Sequence, residues 1–189
     1  MRLIFVFGFL SFLFGCATPP RHVAAEQPLA PGVTLTLPDA PTFAAGLAVN
    51  QLVQARYQDQ HQVFQSFIQS GEGRLGIVMS VPSGPRIMRI NWSGGNISSQ
   101  KESIAPVALS PQRMLADLLL VYASDDVLKK ALHGAVLEAD GYGSRKLVQG
   151  GKVIIAVTRP ADDIWNGRAT LKNFAFDYEL SIQSQRADP

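Results

Sequence analysis

Short segments of alternating apolar and polar residues, separated by turn residues, follow one another from about residue 53 to residue 102. The strand-like segments are 53–57, 62–69, 74–81, 86–92 and 97–102. Gly71-Glu72-Gly73, residues 82–85 and Gly94-Gly95-Asn96 supply turn signals between them. Strands spaced about ten residues apart are typical of antiparallel sheets and barrels. This rhythm therefore predicts an antiparallel sheet for the first half of the domain.

The second half repeats the pattern, with strands predicted at 135–138, 145–149 and 152–158 and a loop at 160–168. Alternation is strictest at the end of the chain, where apolar residues occupy every second position. They are Phe174, Phe176, Tyr178, Leu180 and Ile182. Such alternation predicts a strand with one buried and one wet face.

Two helices are predicted between these halves, because the apolar period changes after residue 109. Ser110 and Pro111 suit the N-cap and first position of one helix, and Ser124 can cap a second. Apolar residues at helical spacing are Met114, Leu115, Leu118, Leu119 and Tyr122, then Val127, Leu128, Ala131 and Leu132. The predicted fold class is mainly antiparallel β (α+β), a curved sheet or half-barrel with two short helices inserted in its opening.

The first residues indicate export. Arg2 precedes an apolar run from Leu3 to Phe14 that fits a signal peptide and is shorter than the roughly 20 residues of a membrane span. Leu13-Phe14-Gly15-Cys16 resembles a lipobox, although Phe14 is larger than usual. We expect residues 1–15 to be removed, Cys16 to be lipidated, and Ala17 to favour the periplasmic face of the outer membrane. The alternative is an ordinary secreted protein with a chance cysteine.

Cys16 is the only cysteine, so no intramolecular disulfide can staple the domain. Prolines are frequent in residues 16–45, which predicts an extended tether after the lipidated residue, with one short strand at 33–37. The folded domain is predicted to span residues 46–185.

Motifs for chemistry are weak, and no enzyme, cofactor or metal site is predicted. Residues 71–76 spell GxGxxG, but a strand-like segment follows, which favours a hairpin over a dinucleotide site. His22, His61 and His133 lack metal spacing, and Asp162-Asp163 is read as a solvated loop pair. A spatial Ser-His-Asp triad stays open. The net charge of +2 does not favour a nucleic-acid partner.

Residues 109–122 (LSPQRMLADLLLVY), followed by a helix ending in Lys130-Ala131-Leu132, resemble the DUF3261 family of bacterial lipoproteins. Further shared features are an Arg-Lys-Leu strand, Gly151, a Trp in a loop, and residues 171–174 leading to Tyr178 and Leu180. The likeness covers roughly residues 48–184. It implies a distant similarity to LolB and LolA, half-open barrels whose hollow receives acyl chains. It also implies a link to the synthases that make aryl polyene pigments. Residues 82–85 depart from LolB because they offer no exposed Leu.

Two functions are weighed. The first is a membrane-anchored protein that binds a lipid, an acyl chain or an aryl polyene product for envelope transport or assembly. The second is an interaction or scaffold lipoprotein with a filled core. For the first, the residues predicted to contact the ligand are Phe174, Phe176, Tyr178, Leu180, Met88, Ile90 and Trp92 on strands, with Leu115, Leu118, Leu119 and Leu128 on the helices.

Overall fold

The computed structural model describes residues 25–106 and 109–187, which form mainly antiparallel strands. The first seven strands are β1 (Glu26–Ala30), β2 (Val33–Thr36), β3 (Ala48–Tyr57), β4 (Gln60–Gly71), β5 (Arg74–Ser80), β6 (Arg86–Ser93) and β7 (Asn96–Lys101). The helices α1 (Pro111–Tyr122) and α2 (Asp125–Ala131) follow. The remaining strands are β8 (Leu132–His133), β9 (Val136–Ala139), β10 (Ser144–Gln149), β11 (Lys152–Thr158), β12 (Gly167–Asn173) and β13 (Tyr178–Arg186).

Ten strands form one large curved sheet that does not close into a barrel, in the order β7-β6-β5-β4-β3-β13-β12-β11-β10-β9. Two antiparallel meanders, β3 to β7 and β9 to β13, meet where β13 pairs with β3. Both helices lie in the chain between the meanders. The predicted curved, mainly antiparallel sheet with two short helices is therefore confirmed.

Helix α1 is buried along most of its length, since every residue from Leu115 to Tyr122 is buried. It contacts β1, β7, β11 and β12. Its start is the predicted one: the Ser110 hydroxyl accepts a hydrogen bond from the Arg113 amide at 3.4 Å, and Pro111 follows the cap. Ser124 caps α2 in the same way. Among the described residues, neither helix is long and apolar enough to cross a membrane.

Residues 26–36 are not a tether. They form β1 and β2, which join β8 in a second sheet of three strands. Leu29, Val33 and Leu35 are completely buried in the core. The prolines did not prevent this, because Pro28 lies on the edge strand β1 and Pro31 in the turn before β2, two places where proline is tolerated. The folded domain thus begins before residue 46. Residues 1–15, Cys16 and His22 lie outside the described residues.

The predicted last strand is also corrected. Phe174 and Phe176 belong to the turn between β12 and β13, and β12 itself was not predicted. Asn173 closes this turn, because its side-chain oxygen accepts a hydrogen bond from the Phe176 amide at 2.8 Å. Asp177 completes the turn in the left-handed region, at φ 48°. The alternation of apolar and polar residues thus extends from β13 back into the turn, and so it could not show where the strand begins.

Candidate binding cavity

A cavity of about 1020 Å³ lies on the concave side of the sheet, between α1 and strands β3, β4, β5 and β13. The side chains that line it from the strands are Gln51, Val53, Ala55, Tyr57, Gln60, Gln62, Phe64, Ser66, Ile68, Ile77, Met79, Tyr178, Leu180 and Ile182. Those on or beside α1 are Pro106, Leu109, Ser110, Arg113, Met114, Asp117, Leu118 and Tyr122. Arg56, Gln58, Ala175, Phe176 and Asp177 complete the wall. The lining is mostly apolar, with a few polar groups, as in small-molecule sites.

Alternation along the strands places these side chains on one face. Val53 pairs with Phe64 on one side and Ile182 on the other, and Ala55 lies between Gln62 and Leu180. Small or polar side chains such as Ala55 and Gln62 therefore occupy these inward-facing positions. Large apolar side chains there would fill the space beneath α1. The cavity results from this choice of residues on the inner face.

The mouth of the cavity is formed by two neighbouring turns, residues 57–60 and 174–177. The Gln58 amide donates a hydrogen bond to the Asp177 carbonyl at 3.4 Å, which holds the turns together. Tyr57 and Asp177 are exposed here, whereas Ile68 and Ser66 are buried at the opposite end. The cavity is thus open at the turns and closed deeper in the sheet.

A buried hydrogen-bond network lies at the closed end. The Gln51 amide donates to the Tyr122 hydroxyl and to the Ser184 hydroxyl, each at 3.0 Å, and Ser66 donates to Gln51 Oε1 at 3.3 Å. Burial raises the pKa of Tyr122 to about 12. The Trp165 ring stacks on Tyr122 with centroids 4.0 Å apart. These polar groups satisfy one another, so a ligand need not bind them.

A second polar group lies on α1 nearer the mouth. The Tyr178 hydroxyl donates to Asp117 Oδ1 at 2.6 Å, and the Arg113 guanidinium lies over the Phe176 ring at 4.9 Å and the Tyr178 ring at 5.7 Å. Desolvation raises the pKa of Asp117 to about 7, against the opposing effects of Tyr178 and Arg113. Burial also raises the pKa of Tyr178. Arg113 Nη1 is buried, and the described residues offer it no hydrogen-bond acceptor.

The residues predicted to contact a ligand separate into three groups. Phe176, Tyr178, Leu180 and Leu118 line the cavity. Phe174 is 51% exposed on the turn, with the Lys172 ammonium 5.2 Å from its ring centroid. The others pack in the core outside the cavity wall, each at most 1% exposed: Met88, Ile90, Trp92, Leu115, Leu119 and Leu128.

Arg113 and Asp117 are polar residues of α1 that lie outside the apolar positions predicted for this helix. They are four residues apart, and so lie on one side of α1 together with Met114 and Leu118. The spacing of these two residues could have indicated a buried polar pair, because a helix that is apolar nearly all round is buried together with its polar residues.

Arg145 is a second unforeseen charge, 2% exposed beneath the C-terminal end of α1. It donates to the carbonyls of Leu120 at 3.2 Å and Ala123 at 2.8 Å, and forms an ion pair with Asp125 at 3.1 Å. Burial lowers the pKa of Arg145 to about 10, which leaves it charged at neutral pH. Its contacts satisfy the free carbonyls at the end of a helix, which is a structural role.

The weak sequence motifs have structural roles. Residues 71–76 form the hairpin between β4 and β5, as predicted, with Gly73 in the left-handed region. Asp163 forms an ion pair with Arg186 at 2.8 Å. His133 Nε2 lies 3.1 Å from the Thr36 hydroxyl. Within the described ranges, no three His, Cys, Asp or Glu side chains are grouped as a metal site would require.

Residues 48–186 match the family described as "protein of unknown function (DUF3261)". The chain belongs to this family. The matched region begins at β3 and ends with β13, so it covers the large sheet, both helices and the whole cavity wall. No curated protein matches the chain. The distant similarity to LolB and LolA stays a prediction.

Proposed function

We propose that the cavity binds the apolar chain of a lipid, an acyl chain or a lipid-like product such as an aryl polyene, for transport or assembly of the envelope. The observation that carries this is a cavity of about 1020 Å³ with a mainly apolar wall and an open mouth. Ligand sites typically measure about 300–1,000 Å³. Burial of an apolar chain contributes about 0.8 kcal/mol for each CH₂ group.

The N-terminal residues support a membrane location for this binding. Lipidation of Cys16, with removal of residues 1–15, would hold the domain at the periplasmic face of the outer membrane. Two or three acyl chains give stable anchoring, whereas one gives only reversible binding. Replacing Cys16→Ala should abolish incorporation of labelled palmitate and release the protein from membranes; a membrane-bound, unlabelled variant would contradict the lipid anchor.

Binding is tested with the chain lacking residues 1–16, which keeps every described residue. N-phenyl-1-naphthylamine, a neutral apolar dye, should bind and should be displaced by decanol, dodecanol and tetradecanol. Each additional CH₂ should strengthen displacement about fourfold until the cavity is full. Lipid extracted from protein purified from its native host should be identified by mass spectrometry.

The matched variants use two positions on β3 that face opposite ways. Ala55→Trp places bulk inside the cavity and should abolish dye binding. Leu52→Trp places the same bulk on the convex face, where Leu52 is 38% exposed, and should leave binding unchanged. Equal binding by both variants, or a protein that takes up neither dye nor lipid, would refute the proposal and favour a scaffold lipoprotein.

A further inference from the structure

Helix α1 carries the opposite charge arrangement from α2 in its first turn. The first turn of α2 holds Asp125 and Asp126, which complement the positive end of the helix dipole. The first turn of α1 holds no acidic residue and does hold Arg113. A cation at this position is unfavourable for the helix itself, so its presence calls for another partner.

Arg113 lacks an anionic partner in the described part of the chain, and its side chain interacts there with the Tyr178 hydroxyl. Among the described residues it forms no ion pair, and its Nη1 atom is buried without an acceptor. Asp117 is the nearest candidate, but its Oδ1 accepts the Tyr178 hydroxyl instead. The raised pKa of Asp117, about 7, keeps this carboxyl largely protonated in mildly acidic solution, and so it neutralises Arg113 poorly.

The position of Arg113 relates it to the cavity. Its guanidinium lies against Phe176 and Tyr178, two wall residues next to the mouth. Ser110, at the positive end of α1, lines the same region. Both the side-chain charge and the helix dipole therefore favour an anionic head on this side of the mouth, whereas the carboxylate of Asp177 lies on the turn that forms its other part.

We propose that Arg113 and the N-terminal end of α1 bind the anionic head, a carboxylate or a phosphate, of a single-chain amphiphile whose apolar chain fills the cavity. This rests on the proposed function and adds a ligand class to it. A planar guanidinium matches both oxyanions through two parallel hydrogen bonds. The buried face of Arg113 is held by the two rings, and its remaining donors bind the head after a small movement of the side chain.

Arg56 provides a matched control. It also lines the cavity, but it already forms an ion pair with Glu179 at 3.1 Å. An anion should therefore gain little from Arg56, whereas Arg113 has donors to spare. The two arginines also differ in facing, because Arg56 follows the inward-facing Ala55 on β3 and so borders the cavity only at its rim.

The experiment measures binding of palmitic acid, hexadecyl phosphate and hexadecanol to the chain lacking residues 1–16. A charge-assisted hydrogen bond contributes about 1.5–3 kcal/mol, so at least one anionic ligand should bind roughly 10–100-fold more tightly than hexadecanol. Arg113→Gln should remove this advantage and leave hexadecanol binding unchanged. Arg113→Lys should restore part of it, and Arg56→Gln should keep it.

The two acids separate the sources of the anion, since preference for palmitic acid assigns a carboxylate and preference for hexadecyl phosphate assigns a phosphate. Equal binding of the acids and the alcohol by the wild-type protein would overturn the role of Arg113 while leaving the cavity as a lipid site. Binding of none of the three would overturn the proposed function itself. An advantage that survives in Arg113→Gln and disappears in Arg56→Gln would move the anion site to Arg56.

Discussion

Strands β10 to β12 and strands β3 to β5 belong to the same sheet, yet their inner faces carry different side chains. In the first group Leu147, Ile155 and Leu171 are completely buried. In the second group small or polar residues such as Ala55 and Gln62 take the equivalent positions and border the cavity. We call β10 to β12 the filled half of the sheet and β3 to β5, with β13, the hollow half. One row of paired residues crosses from the filled half to the hollow half. It runs Val157, Leu171, Leu180, Ala55, Gln62.

This difference indicates that the cavity depends on small and polar residues at a few positions, since other positions of the same strands bury Phe64, Ile68 and Met79 in the core. Leucine and isoleucine in β10 to β12, together with β1 and β2, bury the apolar surface that holds α1 in place. The strands around the cavity bury further apolar side chains, among them Leu75, Ile77 and Ile90. The cavity therefore lies beside a well-packed core.

The largest expected effect tests this contrast at neighbouring positions. Leu171 and Leu180 pair across β12 and β13, but Leu171 is fully buried and Leu180 lines the cavity. Leu171→Ala should lower the free energy of unfolding by about 2–5 kcal/mol. Leu180→Ala should lower it by only about 1 kcal/mol, since less of its surface is removed from solvent. Urea denaturation measures both, and equal losses would show that the two halves are packed alike.

The next effect depends on pH and belongs to the hollow half. Folding raises the pKa of Asp117 from the ordinary 3.8 to about 7, so the folded protein holds a proton that the unfolded chain releases. Asp117 thus decreases stability as the pH rises from about 4 to 7. Asp117→Asn keeps an acceptor for Tyr178 and cannot ionise. At one pKa unit per 1.4 kcal/mol, it should raise stability by about 2–4 kcal/mol at pH 8 and little at pH 4.

Urea titrations of both proteins at the two pH values provide the measurement. Arg113 and Tyr178 face Asp117 and both favour its ionised form, and the pKa of about 7 already includes their opposing effects. A stability difference that is the same at pH 4 and pH 8 would show that Asp117 is not held protonated by burial.

The smallest expected effect comes from adding volume instead of removing it. Ala169 on β12 is 1% exposed, whereas Ala55 on β3 borders the cavity. Ala169→Leu should lower the free energy of unfolding by about 1–3 kcal/mol, because the filled half has no room for three more carbon atoms. Ala55→Leu should change it by less than about 0.5 kcal/mol. A large loss in Ala55→Leu would mean that the cavity is not free space.

Local patterns predicted most of the strands and both helix starts. The hairpin at residues 71–74 follows from its glycines, and the α1 cap follows from Ser110 and Pro111, since each depends on neighbours in sequence. The β12–β13 turn could not be found this way. It depends on Asn173, whose side chain bonds both the turn at Phe176 and the carbonyl of Leu29, which is distant in the chain.

The candidate site was predictable only in part for the same reason. Alternation identified Tyr178 and Leu180 as inward-facing, and both line the cavity. It could not separate them from Met88 and Ile90, which face inward equally but lie under filled core. Apolar periodicity reports which face is buried, and not whether another side chain occupies the space above it.

The sequence by itself determined most of the strands, the turns with left-handed glycines and the capped helices, because each arises from residues close along the chain. The tertiary structure decided three further features. Residues 26–36 join the core because β2 pairs with β8, which lies about a hundred residues later in the chain. Space remains beneath α1 because small and polar side chains from β3 and β4 meet there. Arg113 and Asp117 face that space because α1 is enclosed on its other sides, and burial of a charge depends on everything packed around it.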